Sequence, residues 1–136
     1  APTLAGLPAL VETARESGNP VTLTTTGPVD ELPRPVQLAG YRIVQESLSN
    51  ARRHAPGAEV AVRLGIGADL VELEITSGPP SRPAARAPGP KLGLSGLTER
   101  VAALGGELDA GPTPDGGFRL GATIPRGFEG ARDAAR

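Results

Sequence analysis

The sequence reads as an α/β two-layer sandwich, a mixed and mostly antiparallel sheet with three helices on one face. Three observations lead there. Helical and strand-like patterns alternate along the chain. Two pairs of strand-like segments are separated by short turn signals, which makes hairpins. Each helical segment carries a single apolar stripe and so has one face to bury.

In chain order, "LAGLPALVETARESGNP" places Leu7, Leu10, Val11 and Ala14 at helical spacing, and Gly18-Asn19-Pro20 is a stop. "VTLTTTG" alternates Val21, Leu23 and Thr25 as a strand does and closes at Gly27-Pro28. After the loop "PVDELPRP", Pro35 suits a first helical turn. The longest helical pattern runs from there to about His54, with Val36, Gly40, Ile43, Val44, Ser47, Leu48 and Ala51 as its stripe. "AEVAVRLGIG" and "DLVELEITSG" form two strands around a Gly67-Ala68-Asp69 turn. Ser77 to Lys91 is rich in Pro, Ala and Arg without a period, a loop long enough to suggest function. A third helix spans about Ser95 to Leu104, with capping hydroxyls offered by Ser95 and Thr98 and a stop at Gly105-Gly106. Two last strands flank Pro114-Asp115-Gly116-Gly117, and residues 126–136 read as a frayed tail.

The 136 residues amount to one domain, here 1–125, and the formal net charge of −1 does not suit a general nucleic-acid binder. Two Phe and one Tyr are too few for a base-stacking platform. The chain has no Cys, which excludes disulfides and thiolate metal sites. No apolar run reaches the ~18 residues that cross a bilayer. The expectation is a cytoplasmic domain cut from a longer protein; if that parent is membrane-anchored, the anchor lies outside this piece.

Chemistry concentrates in "YRIVQESLSNARRHA". Glu46, Asn50 and His54, the chain's only histidine, recur every four residues, each about 40° further round the helix. They run as a line at the border of the apolar stripe. A carboxylate can serve as a base, an amide oxygen is a hard ligand for Mg²⁺, and a histidine can bond a phosphate oxygen. Singly, each is equally readable as an ordinary polar flank residue.

That string closely resembles the N-box of sensor histidine kinases, in the subgroup paired with helix-turn-helix response regulators. "LGLSGLTERVAALGGELDAGPTPDGGFRLGATIP" resembles the same subgroup's glycine box, following helix and last two strands. The resemblance runs from about Leu7 to Pro125 and implies the catalytic, ATP-binding domain with the Bergerat ATPase fold. By matching position it implies Asn50 on Mg²⁺, Glu46 as base or polarising group, and Arg53 with His54 near the phosphates of ATP. The phosphoaccepting histidine would belong to a separate dimerisation domain of the same parent. The parent would be a homodimer, this fragment a monomer, and the downstream partner a helix-turn-helix response regulator.

Two family elements are altered. Where the family has Asp-x-Gly-x-Gly, with the Asp receiving the adenine amino group, the sequence is "TSGPP". One alignment sets Thr76 at the Asp, keeps Gly78 and puts Pro80 at the second Gly. A shift of one residue sets Ser77 there instead. Before the third helix, Gly-x-Gly-Leu becomes Lys91-Leu92-Gly93-Leu94. Lys91 then either pairs with phosphate or is a solvated loop lysine, and Gly93, Leu94 and Gly96 form lid hinge and helix entry. Residues 77–93 match the ATP lid, with Arg82 and Arg86 as phosphate contacts or as solvated side chains. The first reading is therefore a protein histidine kinase catalytic fragment, using ATP and Mg²⁺ and unable to autophosphorylate alone. The alternative is a degenerate module that binds nucleotide weakly or not at all and acts by docking. Other ATPases of this fold fit the "GLTERVAALGG" segment and the short chain less well.

Overall fold

The computed structural model describes residues 2–81 and 94–127. A 3-10 turn, Leu4–Gly6, leads into α1 (Leu7–Glu16), β1 (Val21–Thr26), a second 3-10 turn (Val29–Glu31) and α2 (Arg34–His54). Then come β2 (Val60–Ile66), β3 (Leu70–Ser77), α3 (Leu94–Ala103), β4 (Glu107–Pro112) and β5 (Phe118–Pro125). The five strands form one sheet in the order β1-β2-β3-β5-β4. β1 and β2 are parallel, joined across α2, and every other pairing is antiparallel. The sequence reading of a mixed sheet with three helices holds.

Alternation divides the sheet into two faces. Val60, Val62, Leu64 and Ile66 of β2, Val71, Leu73 and Ile75 of β3, and Leu120, Ala122 and Ile124 of β5 are buried. They join Leu7 and Val11 of α1, Val36, Ile43, Val44 and Leu48 of α2, and Leu97 and Val101 of α3 in one core. The opposite face is polar. There the Arg119 guanidinium lies across Gly121 and bonds Glu74 of β3 at 2.8 Å and Asp109 of β4 at 3.1 Å. An ion cluster half open to water adds little stability. It does fill the space above a residue with no side chain and charges that face.

The helix stops read from the sequence have a defined geometry. At the end of α3, Gly105 takes φ +81° while its N–H bonds Ala102 O and the Gly106 N–H bonds Val101 O. That is the paired 6→1 and 5→2 closure in which glycine avoids a left-handed strain. α1 ends the same way, with Gly18 bonding Arg15 O and Asn19 bonding Ala14 O. Asn19 then does more. It is 3 % exposed, and its Nδ2 donates to Ala55 O at 3.0 Å and Ala58 O at 2.9 Å. It thereby ties the end of α1 to the chain leaving α2.

Two expectations change. Ser95 is not a cap, because α3 already begins at Leu94, and the Thr98 hydroxyl bonds back to Leu94 O within the helix. Arg126, expected to open a frayed tail, is held: its N–H bonds Asp69 O, and its guanidinium bonds Gly67 O and Glu31. Residues 128–136 lie outside the described residues.

Candidate functional site

One cavity of about 250 Å³ opens where the C-terminal half of α2 meets the ends of β3 and β5. α2 contributes Ser47, Asn50, Ala51 and His54, an i, i+3, i+4, i+7 stripe, and Ala55 follows at its C-cap. The sheet supplies an apolar floor from Val60, Ile75 and Leu120. Ser77, Gly78 and Pro80 close one side, Leu94 at the start of α3 another, and Gly116, Gly117 and Phe118 a third. The lining is mostly apolar with a few convergent polar groups, as in pockets for small organic ligands.

The wall from the β4–β5 turn depends on Gly117. A Cβ there would lie 2.1 Å from Ser77 O and 3.0 Å from the Thr113 hydroxyl, so only glycine lets the turn close on the end of β3. The turn is set by Asp115, which accepts from the Thr113 hydroxyl and, at 3.0 Å, from Gly117 N–H. These bonds, the Thr113 hydroxyl first, hold the Asp115 carboxyl below its ordinary value of 3.8.

Asn50 and His54 thus share the cavity, both half-buried. Arg53 stands beside them. Its guanidinium donates to Asn50 Oδ1 at 2.8 Å and lies 3.8 Å from Glu46 Oε2. Two buried polar atoms on this helix, Ser47 Oγ and Arg53 Nε, have no partner among the described residues. A buried polar atom without a partner is costly, so Ser47 Oγ, which lines the cavity, marks where a polar group fits.

Three expected site residues fall elsewhere. Glu46 does not line the cavity; it faces a shallow groove between α2 and α3 with Arg42, Gln45 and Arg100. There it stands 3.8 Å from the Arg53 guanidinium. Thr76 also points away. Val71, Leu73 and Ile75 face the core, so strand alternation carries Ser77 to the cavity and Thr76 to the open face beside Thr22 and Ala61. Of the two alignments, the one with Ser77 at the cavity matches the geometry. Gly96 faces the α2–α3 groove, and a Cβ there would meet nothing within 4 Å, so it is no packing glycine. Lys91, Gly93, Arg82 and Arg86 lie outside the described residues. Gly78 and Leu94 do line the cavity.

The sequence reading does not single out several lining residues, Ser47, Gly117 and Phe118 among them. Ser47 was assigned to the apolar stripe. Phe118, 37 % exposed, presents an aromatic side chain at the cavity opposite Ser77 in the β3–β5 register. Its signal was an aromatic directly after a hairpin turn in a chain nearly free of aromatics.

Among solved structures, the chain is similar to the mycobacterial sensor histidine kinase MprB, with 23 % identity, TM-score 0.60, and 88 % of this chain and 95 % of that one covered. This is the fold of histidine kinase catalytic domains. The catalytic domain of histidine kinase ThkA, in a nucleotide-free form, superposes with TM-score 0.57 at 15 % identity, over 88 % of this chain and 93 % of that one. The histidine kinase domain of the blue-light activated kinase EL346 of Erythrobacter litoralis gives TM-score 0.69 at 19 % identity over 90 % of this chain. The chain spans 59 % of that domain's length and 46 % of the longer EL346 structure. No protein-family model matches the sequence, and no curated protein does. No helix among the described residues is long and apolar enough to cross a membrane.

Proposed function

We propose that this domain binds Mg-ATP in the α2–β3–β5 cavity and presents its γ-phosphoryl group to a histidine on a separate dimerisation domain, as a sensor histidine kinase does. The observation that carries the reading is the convergence of Asn50, His54 and Ser77 on one apolar cavity within this fold. The residues suit the group. Asn50 Oδ1 is a neutral oxygen of the kind Mg²⁺ accepts while keeping water and phosphate in its other positions. Mg-ATP supplies the transferable phosphoryl group and the charge neutralisation its displacement needs.

The chain's own residues bind and orient. Ala51, Val60, Ile75 and Leu120 exclude water from a planar base, and Phe118 adds a ring face. Arg53 donates to Asn50 Oδ1 and so stands beside the proposed metal ligand, within reach of a phosphate there. Glu46 steadies the Arg53 guanidinium from the far side. Such transfer is mainly positioning and electrostatics, so groups on one rigid helix are well suited to it. In this reading the parent is a homodimer that passes the phosphoryl group to a helix-turn-helix response regulator.

A second reading has one observation in its favour: among the described residues, no carboxylate lines the cavity. A domain that had lost its adenine acceptor would act by docking a partner. Calorimetric titration with ATP, with and without Mg²⁺, separates the two. Magnesium-dependent binding that is lost in Asn50→Ala supports the kinase. No heat into the millimolar range supports the docking module.

A further inference from the structure

We propose that the cavity takes purine nucleoside triphosphates without distinguishing adenine from guanine, because its base-recognising groups are the hydroxyls of Ser77 and Ser47. The inference rests on the cavity being a nucleotide site. Adenine and guanine differ most at C6, where adenine carries an amino donor and guanine a carbonyl acceptor. A carboxylate accepts only, so it matches the amino group and repels the carbonyl. A hydroxyl is donor and acceptor at once, and it rotates to suit either.

Three features of the lining remove other sources of discrimination. No carboxylate lines the cavity among the described residues. Ser47 Oγ is buried and uncommitted to any described protein group, so no existing bond fixes its donor direction. The remaining base contacts are apolar, from Ala51, Val60, Ile75 and Leu120, with the Phe118 ring at the side. Stacking and apolar contact tolerate any base, because every base has a π face. Large discrimination arises where the wrong ligand leaves a buried group unpaired. At C6, where the two purines differ in sign, a hydroxyl can pair with either. Asn50 and His54, the other polar groups of the lining, are assigned above to metal and phosphate.

The test is titration calorimetry of Mg-ATP and Mg-GTP into the 136-residue chain, beside Ser77→Asp and Thr76→Asp. Wild-type affinities for the two nucleotides should agree within about threefold. Ser77→Asp should shift the ratio toward ATP by about tenfold or more. Thr76→Asp adds its carboxylate on the opposite face, opposite Arg119 in the register, and should leave the ratio as in wild type. ATP binding with GTP rejected by more than about tenfold overturns the inference and leaves the kinase reading standing. An unchanged ratio in a folded Ser77→Asp also overturns it. Binding of neither nucleotide overturns both readings. If Ser77→Asp does not fold, the wild-type ratio alone decides.

Discussion

Asn19→Ala isolates the contact that fixes the mouth of the cavity. Asn19 is the one buried polar residue among the described residues. Its amide donates to two carbonyls, Ala55 O and Ala58 O, just past the end of α2. Removing the amide loses two hydrogen bonds; Ala55 O keeps the Ala58 N–H at 3.0 Å, so Ala58 O is the acceptor left stranded. At roughly 1–3 kcal/mol for the stranded carbonyl and about 1 kcal/mol for the other lost bond, less what an entering water restores, the loss should be about 2 kcal/mol. For a domain of this size, that lowers the thermal midpoint by roughly 7 °C. Asn19→Asp should be worse, since it sets a carboxylate oxygen against the carbonyls. Because Ala55 lines the cavity and His54 precedes it, ligand affinity should fall together with stability. Chemical denaturation of the three proteins in parallel reads the effect. A loss below about 1 kcal/mol in Asn19→Ala, or an Asp variant as stable as wild type, would refute the reasoning.

Further outcomes follow from the same geometry. Asn50→Ala should abolish the magnesium-dependent part of nucleotide affinity and leave the unfolding midpoint within about 2 °C, since the residue is half-buried and bonds only to Arg53; titration with and without Mg²⁺ beside a melting curve checks both. Gly117→Ala must push the β4–β5 turn off Ser77 O, so about 2 kcal/mol of stability and most ligand affinity should go together in denaturation and titration experiments. The Asp115 carboxyl titrates below 3.8 when folded, so its contribution is present above the unfolded value and is lost as pH falls through the folded one. Asp115→Asn should therefore be less stable than wild type at neutral pH, with the difference closing in acid; a gap that does not change with pH would mean the asparagine keeps the turn. Arg126→Ala should free the β2–β3 turn from Glu31, seen as faster amide exchange at Gly67 and Asp69 with little change in midpoint.

The sequence carried the fold because its signals were local. Gly18 and Gly105 end helices by a closure that needs only six residues, and the turns at Gly67 and Gly116 pair strands adjacent in the chain. The parallel β1–β2 pairing was less legible, since its strands are separated by the whole of α2. Asn50 and His54 were legible because four-residue steps on one helix translate directly into a shared line. Glu46 begins the same line, yet the helix turns it toward α3, and periodicity cannot say which neighbour each end of a line will meet. Between Thr76 and Ser77, parity from Val71, Leu73 and Ile75 brings Ser77 to the cavity face. Phe118 and Asn19 were hidden for a different reason. Each acts on residues about forty positions away, Ser77 for one and Ala55 and Ala58 for the other.

The walls of the cavity come from residues 47–60, 75–80, 94 and 116–120, so no short piece of the chain contains it. During synthesis the helix bearing Asn50 is complete long before Phe118 and Leu120 emerge. Those residues belong to the last strand, which must slot between β3 and β4 to finish the sheet. The cavity is therefore complete only once that strand is in place. Any ligand bound there would stabilise only the molecule in which every wall of the cavity is in place.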